Sequence, residues 1–393
     1  MRRQPDRSPS GRADALTRLL TLCAVAVPIT LAACSGAVTV SQPTTSTSTT
    51  STSTTDATPS ATPSPSTTTS TSVSTSTSSS SPPAGPGLAT TVRLAFGGDT
   101  NTANSAGRVL TAGMGSAAAV LAKADLAMVN IETALADDRS GLVPEPKSFN
   151  FVAPTRLLDI VGKAGVDVVT VANNHGLDFG QVGLKRTLAA RSASRPHLIG
   201  AGTDFAAAFT PYRTTVRGRG VMFLAATDVL DAGLPWEATA TRPGLASIKS
   251  KAGYAALRGA VRSDRTAHPD DVIAVYLHAG VELNVCPTSR QRQVAADLAS
   301  DGASAVLMSH AHVVQPGAVI HDTAVAYGLG NFVFAAQSAA TAQTGVMEID
   351  VPPTGPPTQL WHPGRISGGI PTIFSGSAAG QAQASWKALG SGC

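Results

Sequence analysis

Short runs of apolar and β-branched residues alternate with longer helical stretches from about residue 88 to residue 374. The short runs are typical of buried strands, and they cover residues 92–96, 126–129, 166–171, 272–277 and 305–308. The longer stretches predict helices over residues 106–124, 155–164, 181–192, 248–262 and 289–300. Two more pairs of runs predict hairpins, 212–216 with 221–225 and 318–321 with 325–329. This alternation predicts an α/β fold, with a layered β-sheet core and flanking helices.

The first 33 residues have a different pattern, which is typical of an export signal. Five arginines precede an apolar run over residues 19–32, and this run is shorter than the roughly 20 apolar residues that a membrane span needs. A basic region, an apolar region and small residues at its end predict a signal peptide. The run closes as Leu31-Ala32-Ala33-Cys34, which resembles the lipobox of bacterial lipoproteins. We therefore expect a lipid anchor at Cys34 on the extracytoplasmic face of the cell membrane; ordinary cleavage after Ala33 is the alternative.

The composition of the rest of the chain predicts three segments: a stalk, a folded domain and a tail. Residues 34–87 are nearly all Ser, Thr and Pro, and a segment with so few apolar side chains cannot offset the entropy of ordering. We predict a disordered stalk there, either an inert spacer or a glycosylated one. Residues 88–375 form the predicted folded domain, and the Pro-, Gly- and Ala-rich sequence that follows predicts a loosely ordered tail at 376–393.

The cysteines and the net charge give two further expectations, one about disulfide pairing and one about nucleic-acid binding. Of the four cysteines, Cys286 and Cys393 lie in the domain and tail, where they either pair or leave Cys393 free. The formal net charge of +4 comes mostly from the five arginines and two aspartates of the leader. Because nucleic-acid binding needs a clustered basic face, we expect no nucleic-acid partner.

Polar side chains follow five predicted strands at the point where each strand ends. They are Asp99, Glu132, Asn174 with His175, His278, and His310 with His312. If the sheet is largely parallel, these ends share one edge, which is where open α/β sheets bind ligands. Each feature alone has an ordinary explanation, such as a helix N-cap at Asp99 or a turn at Asn173-Asn174. Their recurrence at five strand ends indicates a functional site.

The residue types at these strand ends fit a metal centre. Carboxylates and imidazoles together bind divalent transition ions of the manganese, iron or zinc class. A bridging carboxylate can hold two such ions about 3.5–4 Å apart, and this arrangement activates water for displacement at phosphorus. His310 and His312 point the same way if they lie on an extended strand, whereas in a loop they can reach two different ions.

The order of these motifs resembles the CapA family of poly-γ-glutamate capsule biosynthesis proteins, which have a calcineurin-like metallophosphoesterase fold. The resemblance extends from about residue 92 to residue 334. Its motifs are Gly97-Gly98-Asp99, Asn130-Ile131-Glu132, Asn173-Asn174-His175-Gly176-Leu177-Asp178, His278-Ala279-Gly280-Val281-Glu282, His310-Ala311-His312 and Tyr327-Gly328-Leu329-Gly330-Asn331-Phe332.

The resemblance implies a role for each site residue. It implies that Glu132 bridges two metal ions and that His175 is the general acid or the donor to the transition state. Asp99 is implied to bind one ion and Asn174 with His278 the other, while His310 and His312 divide between the two. Asn101 stands where metallophosphoesterases have His, and it is a weaker ligand. Glu282 is a candidate neighbour of a ligating His, or else an exposed surface carboxylate.

Two functions remain open at this point. The first is a metal-dependent, phosphoesterase-like hydrolase that acts on a cell-envelope polymer, possible partners being poly-γ-glutamate and a membrane synthesis or export complex. The second is a non-catalytic polymer-binding or assembly module with a degenerate metal site. A third, a free-standing secreted nucleotidase, is disfavoured because no separate nucleotide-binding domain is evident in the sequence.

Overall fold

A computed structural model describes residues 90–192 and 194–393. Its strands, in chain order, are β1 Val92–Thr100, β2 Leu126–Ile131, β3 Ala134–Leu135, β4 Val152–Ala153, β5 Val168–Thr170, β6 His197–Ile199, β7 Ala201–Gly202, β8 Tyr212–Val216, β9 Arg219–Thr227, β10 Gly244–Leu245, β11 Val272–Ala279, β12 Ala305–His310, β13 Gly317–Ile320, β14 Thr323–Ala326, β15 Asn331–Val333, β16 Gln343–Val351, β17 Thr358–Ser367 and β18 Ile370–Ile373. Its α-helices are α1 Val109–Ala112, α2 Ala117–Leu121, α3 Arg156–Lys163, α4 Gly180–Ala189, α5 Phe205–Ala208, α6 Lys251–Ala267, α7 Ser289–Ser300 and α8 Gly376–Gly392.

Two large sheets organise these elements. The first has the order β18-β17-β16-β1-β2-β5-β6, with β15 beside β1, and the second has the order β13-β14-β12-β11-β9-β8. The strands at the heart of each sheet run parallel, namely β1, β2, β5 and β6 in the first and β9, β11, β12 and β14 in the second. Antiparallel strands extend the first sheet on one side and close both edges of the second.

The alternation of side chains along each strand explains why the sheets stack. Leu94 and Phe96 of β1 point into a core that they share with Phe223 of β9 and Tyr276 of β11, and the rings of Phe96 and Phe223 lie 6.2 Å apart. The intervening Ala95 belongs to a separate core formed with the helices on the outer face. Because successive strand residues face opposite sides, each sheet contacts the other sheet on one face and helices on the other.

The outer faces complete the layers. The first sheet packs against α1 to α4 through residues such as Val129, Val169 and Leu157, and the second packs against α6 and α7 through residues such as Ile273 and Leu257. The layered α/β fold predicted from the sequence is therefore confirmed. The five predicted buried strands are also confirmed, as are both hairpins, whose turns lie at Arg217-Gly218 and His321-Asp322.

Two sequence predictions about this core differ from the structure. A single continuous helix over residues 106–124 is wrong, because a 3-10 turn, α1 and α2 replace it. The break falls where Gly113 and Gly115 adopt φ values of 70° and 57°, which end a right-handed helix. The expectation of one shared sheet edge also needs correction, since the five polar strand ends belong to two stacked sheets.

The C-terminal residues 376–393, predicted to be a loosely ordered tail, instead form α8 and end in a disulfide between Cys393 and Cys286. Trp386 stacks on Trp361 of β17 at 6.1 Å and donates a hydrogen bond to the Gln315 carbonyl oxygen. A helix of 17 residues with four glycines has little stability of its own, and these tertiary contacts hold it in place.

The predicted signal peptide, the lipid anchor at Cys34 and the stalk at 34–87 lie outside the described residues. Within residues 90–192 and 194–393, no helix has both the length and the apolar character needed to span a bilayer.

Candidate metal centre

The polar strand ends of the two sheets meet at one place. Asp99 lies near the end of β1 in the first sheet, and His278 lies near the end of β11 in the second. The Tyr276 hydroxyl donates a hydrogen bond to the Gly97 carbonyl oxygen at 2.9 Å, which ties the two sheets together beside this point. Gly98 is required here, because a Cβ would lie 1.9 Å from the Gly330 oxygen.

Six predicted ligands come together at this junction, and we call them the ligand cluster: Asp99, Glu132, Asn174, His278, His310 and His312. All are buried except His312, which is partly exposed. Possible ligand atoms of Glu132, His278 and His310 lie within 4.8 Å of one another, and so do those of Asp99, Glu132 and His312. The ligand cluster therefore contains two groups of three that share Glu132.

In the group of Glu132, His278 and His310, the other side chains surround the Nε2 atom of His278. The Nε2 atom of His278 lies 2.7 Å from Asn174 Oδ1, 3.1 Å from His310 Nδ1 and 3.4 Å from Glu132 Oε1. The structure thus adds Asn174 to this group. Two imidazole nitrogens, an amide oxygen and a carboxylate oxygen that converge in this way form a donor set suited to a transition ion.

The second group is held by amide side chains. Asp99 Oδ2 lies 3.5 Å from His312 Nδ1, and His312 Nδ1 lies 2.8 Å from Asn331 Oδ1. The Asn130 amide nitrogen donates to Asp99 Oδ1 at 2.8 Å and lies 3.2 Å from His278 Nδ1. Asn130 therefore touches one member of each group and helps to orient both.

The backbone explains how two histidines only two residues apart serve different groups. His310 ends β12 with φ at 104°, and His312 has φ at 57°. Both values lie in the left-handed region that residues other than glycine rarely adopt. Backbone strain of this kind persists where the surrounding structure enforces it and is often found at functional sites. The strain turns the chain, so the two imidazoles separate.

The proton affinities of the ligand cluster are strongly perturbed. Burial and the neighbouring Asp99 charge raise the pKa of Glu132 well above its ordinary value. Burial and the adjacent His310 hold the pKa of His278 well below its ordinary value, and burial with the adjacent His312 lowers the pKa of His310 to about 4. Burial opposes the charge on His312, but Glu132 and Asp99 outweigh it and raise its pKa to about 10. For Asp99, burial is outweighed by the hydrogen bond from His312 and the nearby His278, which lower its pKa below the ordinary value.

The fit to a metal ion rests on Glu132. Both of its carboxylate oxygens are buried, and neither has a hydrogen-bond partner among the described residues. A buried carboxylate without partners costs several kcal/mol, and a cation between the two groups would remove that cost. Metal ligation requires neutral imidazoles; burial and the neighbouring histidines favour that form in His278 and His310 by lowering their pKa values, whereas His312, whose pKa is raised by Glu132 and Asp99, would lose its proton as the ion binds. The residues present therefore fit a divalent transition ion of the manganese, iron or zinc class.

His175 lies beside the ligand cluster and has its own support. Its Nδ1 lies 2.8 Å from Asp178 Oδ2, so Nε2 is the nitrogen left for other contacts. Lys147, of which only 9% of the side chain is exposed, pairs with Asp178 at 2.9 Å and with Asp231 at 2.7 Å. Phe151 covers the imidazole with ring centroids 4.4 Å apart. These contacts fix the orientation of the ring.

The structure places Asn101, predicted as a weaker ligand, and Glu282, predicted as a neighbour of a ligating His or a surface carboxylate, in different surroundings. Asn101 accepts a hydrogen bond from the Ala103 backbone N–H at 3.1 Å, and its amide nitrogen is buried without a partner among the described residues. Its side-chain oxygen is thus engaged by its own loop. Glu282 is exposed and borders the same cavity as His175 and His312. The roles of both residues stay predictions.

Sequence reasoning missed several residues that orient the site. Asn130, Asp178 and Asn331 lie within the quoted motifs, whose polar positions were the available signal, but they were given no role. Lys147 lies in a loop without a periodic pattern, and nothing in the sequence pointed to it.

Residues 93–336 match the family described as bacterial capsule synthesis protein PGA_cap. The chain is 30% identical over 200 residues to the capsule biosynthesis protein CapA of Bacillus anthracis, which covers 51% of this chain and 48% of that protein. It is 32% identical over 168 residues to the PGA biosynthesis protein CapA of Bacillus subtilis (strain 168), which covers 42% of each. The chain thus matches about half the length of these relatives or less.

Among solved structures, the chain is similar to a phosphatase from Mycoplasma pneumoniae. The match has a TM-score of 0.42 and 11% identity, and it covers 69% of this chain and 94% of that one.

Proposed function

Because the chain belongs to the bacterial capsule synthesis protein PGA_cap family, we propose that it acts in the biosynthesis or export of a capsule or cell-envelope polymer of the poly-γ-glutamate type. The proposal includes a metal-dependent, hydrolase-like site at the ligand cluster. This choice of polymer is supported by the two CapA relatives, one named for capsule biosynthesis and the other for PGA biosynthesis. The main support for this site is that Glu132, a buried carboxylate, is shared by two groups of potential metal-binding side chains.

The proposed place of action is the extracytoplasmic face of the membrane. It rests on the lipobox-like Leu31-Ala32-Ala33-Cys34 and on the stalk-like composition of residues 34–87. A site held there meets envelope polymers rather than cytosolic metabolites, and a membrane synthesis or export complex is the natural partner.

The proposed reaction is hydrolysis of a phosphoester or amide-type bond. Asp99, Glu132 and His312 would hold one ion, and Glu132, Asn174, His278 and His310 the other. When bound, ions of this class activate water and stabilise developing negative charge. As a general acid, His175 must carry a proton on both ring nitrogens: it gives the Nε2 proton to the leaving group and returns to the neutral Nδ1–H tautomer, while Asp178 accepts the hydrogen bond from Nδ1–H in both forms.

One observation favours a second candidate, a non-catalytic binding module. Asn101 replaces the His of metallophosphoesterases, and its oxygen is engaged by the Ala103 N–H. The Asp99 group then has one ligand fewer, and a weakly bound ion there would support polymer binding without turnover.

Turnover by the metal-loaded full chain separates the two candidates. Mn²⁺-, Fe²⁺- and Zn²⁺-loaded protein is tested against phosphomonoesters, phosphodiesters and γ-glutamyl amides. We expect His175→Ala to lower kcat by about 10²–10⁴-fold without loss of metal. His362→Ala is the matched control, because His362 pairs with Glu348 on β16 and β17. Metal-loaded protein without turnover on any substrate would favour the binding module, and full activity in His175→Ala would place catalysis elsewhere.

A further inference from the structure

A cavity of about 200 Å³ opens beside the ligand cluster. His175 and His312 form its inner wall. Four large apolar side chains line much of the remaining wall, and we call them the mouth: Phe149, Phe151, Leu283 and Phe334. Polar atoms in the lining come from Glu282, Asn331, Gln337 and Thr341.

The aromatic rings of the mouth form a continuous surface from the imidazoles to solvent. Phe151 lies over His175 at 4.4 Å, and Phe334 lies over His312 at 4.9 Å. Phe151 and Phe334 meet edge to face at 6.4 Å. Phe149 stacks on Phe151 at 6.4 Å and is 64% exposed. A group that leaves the ligand cluster through the cavity must therefore pass along aromatic carbon.

Leu283 lines the opposite side of the mouth, and backbone hydrogen bonds fix its position. Its side chain is 63% exposed, yet its φ of 59° lies in the left-handed region. Its backbone N–H donates to the Ala311 carbonyl oxygen at 2.8 Å, and Gln315 donates to the carbonyl oxygens of Asn284 and Cys286. An exposed apolar side chain that is fixed in a strained conformation indicates a binding surface.

The charges around the cavity select against a polyanion at this position. The lining residues include the carboxylate of Glu282 and contain neither Lys nor Arg. The nearby Lys147 is already paired with Asp178 and Asp231. Among the described residues, a chain of carboxylates would meet no Lys or Arg in the cavity lining, whereas an apolar group would bury the exposed surface of Phe149 and Leu283.

We propose that the cavity is a subsite for an apolar ring or hydrocarbon group, which the substrate carries next to the anionic group that reaches the ligand cluster. The inference rests on the hydrolase-like site of the proposed function and names the substrate class of that site: an anionic ester or amide with an apolar substituent at the reacting centre, rather than a run of carboxylates in the polymer itself. The volume suits one ring or a short alkyl chain, since an apolar cavity of about 150 Å³ is known to accept benzene.

Binding of three phosphonates to the metal-loaded full chain, measured by titration calorimetry, tests the subsite. Methylphosphonate reports the ligand cluster alone, and phenylphosphonate and butylphosphonate distinguish a ring from an alkyl chain. We expect one of the larger two to bind about 10- to 100-fold more tightly than methylphosphonate, as burial of one such group implies. Phe149→Ala and Leu283→Ala should remove most of that advantage and leave methylphosphonate binding unchanged.

Val319→Ala is the matched control, because Val319 is 54% exposed on β13 and does not line the cavity. Equal affinity for all three phosphonates overturns the subsite and leaves the proposed function intact. If no phosphonate binds, the hydrolase-like site of the proposed function fails, and the subsite is then judged by neutral benzyl alcohol on the metal-free chain. A saturable NMR shift of the Leu283 methyl groups that Phe149→Ala abolishes supports the subsite, and the absence of any shift at millimolar benzyl alcohol overturns it.

Discussion

The ligand cluster consists of charged and polar side chains that are nearly all buried, whereas the mouth above it includes large apolar side chains that are exposed. Glu132 is fully buried and neither of its oxygens has a hydrogen-bond partner in the part of the chain that the structure describes, while Phe149 and Leu283 are 64% and 63% exposed. Buried polar groups and exposed apolar patches are the two informative exceptions to the usual pattern of burial. Here the two regions meet at His175 and His312, which line the cavity, and this indicates one composite site with an ionic part and an apolar part.

The ligand cluster and the mouth differ in their effect on the stability of the folded protein. Because the ligand cluster holds buried carboxylates and, among the described residues, two Glu132 oxygens without hydrogen-bond partners, we expect its stability to depend on a bound cation. The exposed side chains of the mouth contribute little to the stability of the folded core. Loss of the cation should therefore destabilise the protein, and truncation of the mouth should not.

Removal of metal is expected to give the largest effect. A bound ion at about 1,000 times its Kd stabilises the native state by about 4 kcal/mol, which corresponds to a fall in Tm of roughly 8 °C on removal. Calorimetry before and after chelation, with add-back of the ion, measures it. Phe149→Ala protein should show the same fall, and an unchanged Tm after verified loss of metal would refute the dependence of the ligand cluster on a cation.

Asp178→Asn is expected to give an intermediate effect that is confined to chemistry. The substitution removes the carboxylate that holds His175 and pairs with Lys147. Substitutions of such supporting partners typically cost about 10–100-fold, and we expect this loss in kcat with metal content and KM retained. Asp159→Asn, which breaks a surface pair with Arg195, is the control. A loss of metal in place of kcat would mean that Asp178 supports the ligand cluster rather than His175.

Phe149→Ala is expected to give the smallest effect on folding. Because the ring is mostly exposed, its removal should change the free energy of unfolding by no more than about 0.5 kcal/mol. Phe223→Ala, which empties a core position between the two sheets, should cost about 3 kcal/mol or more. Urea denaturation of both variants provides the comparison. A large loss of stability in Phe149→Ala would make the ring a structural element and remove the contrast between the two regions.

The sequence was informative about the ligand cluster because its residues follow strands whose apolar runs are easy to recognise. Asp99, Glu132 and His278 could be assigned to one place from that pattern alone. The assignment of their strands to two different sheets could not be predicted. The apolar run of one strand does not show which distant strand pairs with it. The separation of His310 from His312 depends on positive φ values, which no periodicity predicts.

The mouth was not predicted, for a related reason. Phe149 and Leu283 lie in loops, and a loop residue has no pattern that distinguishes a cavity wall from a chance exposed side chain. The C-terminal helix was missed because its position depends on Trp386 and on the disulfide of Cys393, which are tertiary contacts rather than local propensity. Lys147 belongs to the same class, since only the folded chain brings it to Asp178 and Asp231.

The claim that Glu132 joins two metal positions is tested most directly by the metal content of the purified full chain and of Glu132→Ala. Elemental analysis after dialysis should find up to two divalent transition ions per wild-type chain and fewer than one in the variant, with the fold of both checked by circular dichroism. A wild-type chain that binds no transition ion, or a Glu132→Ala chain with undiminished metal content, would contradict it.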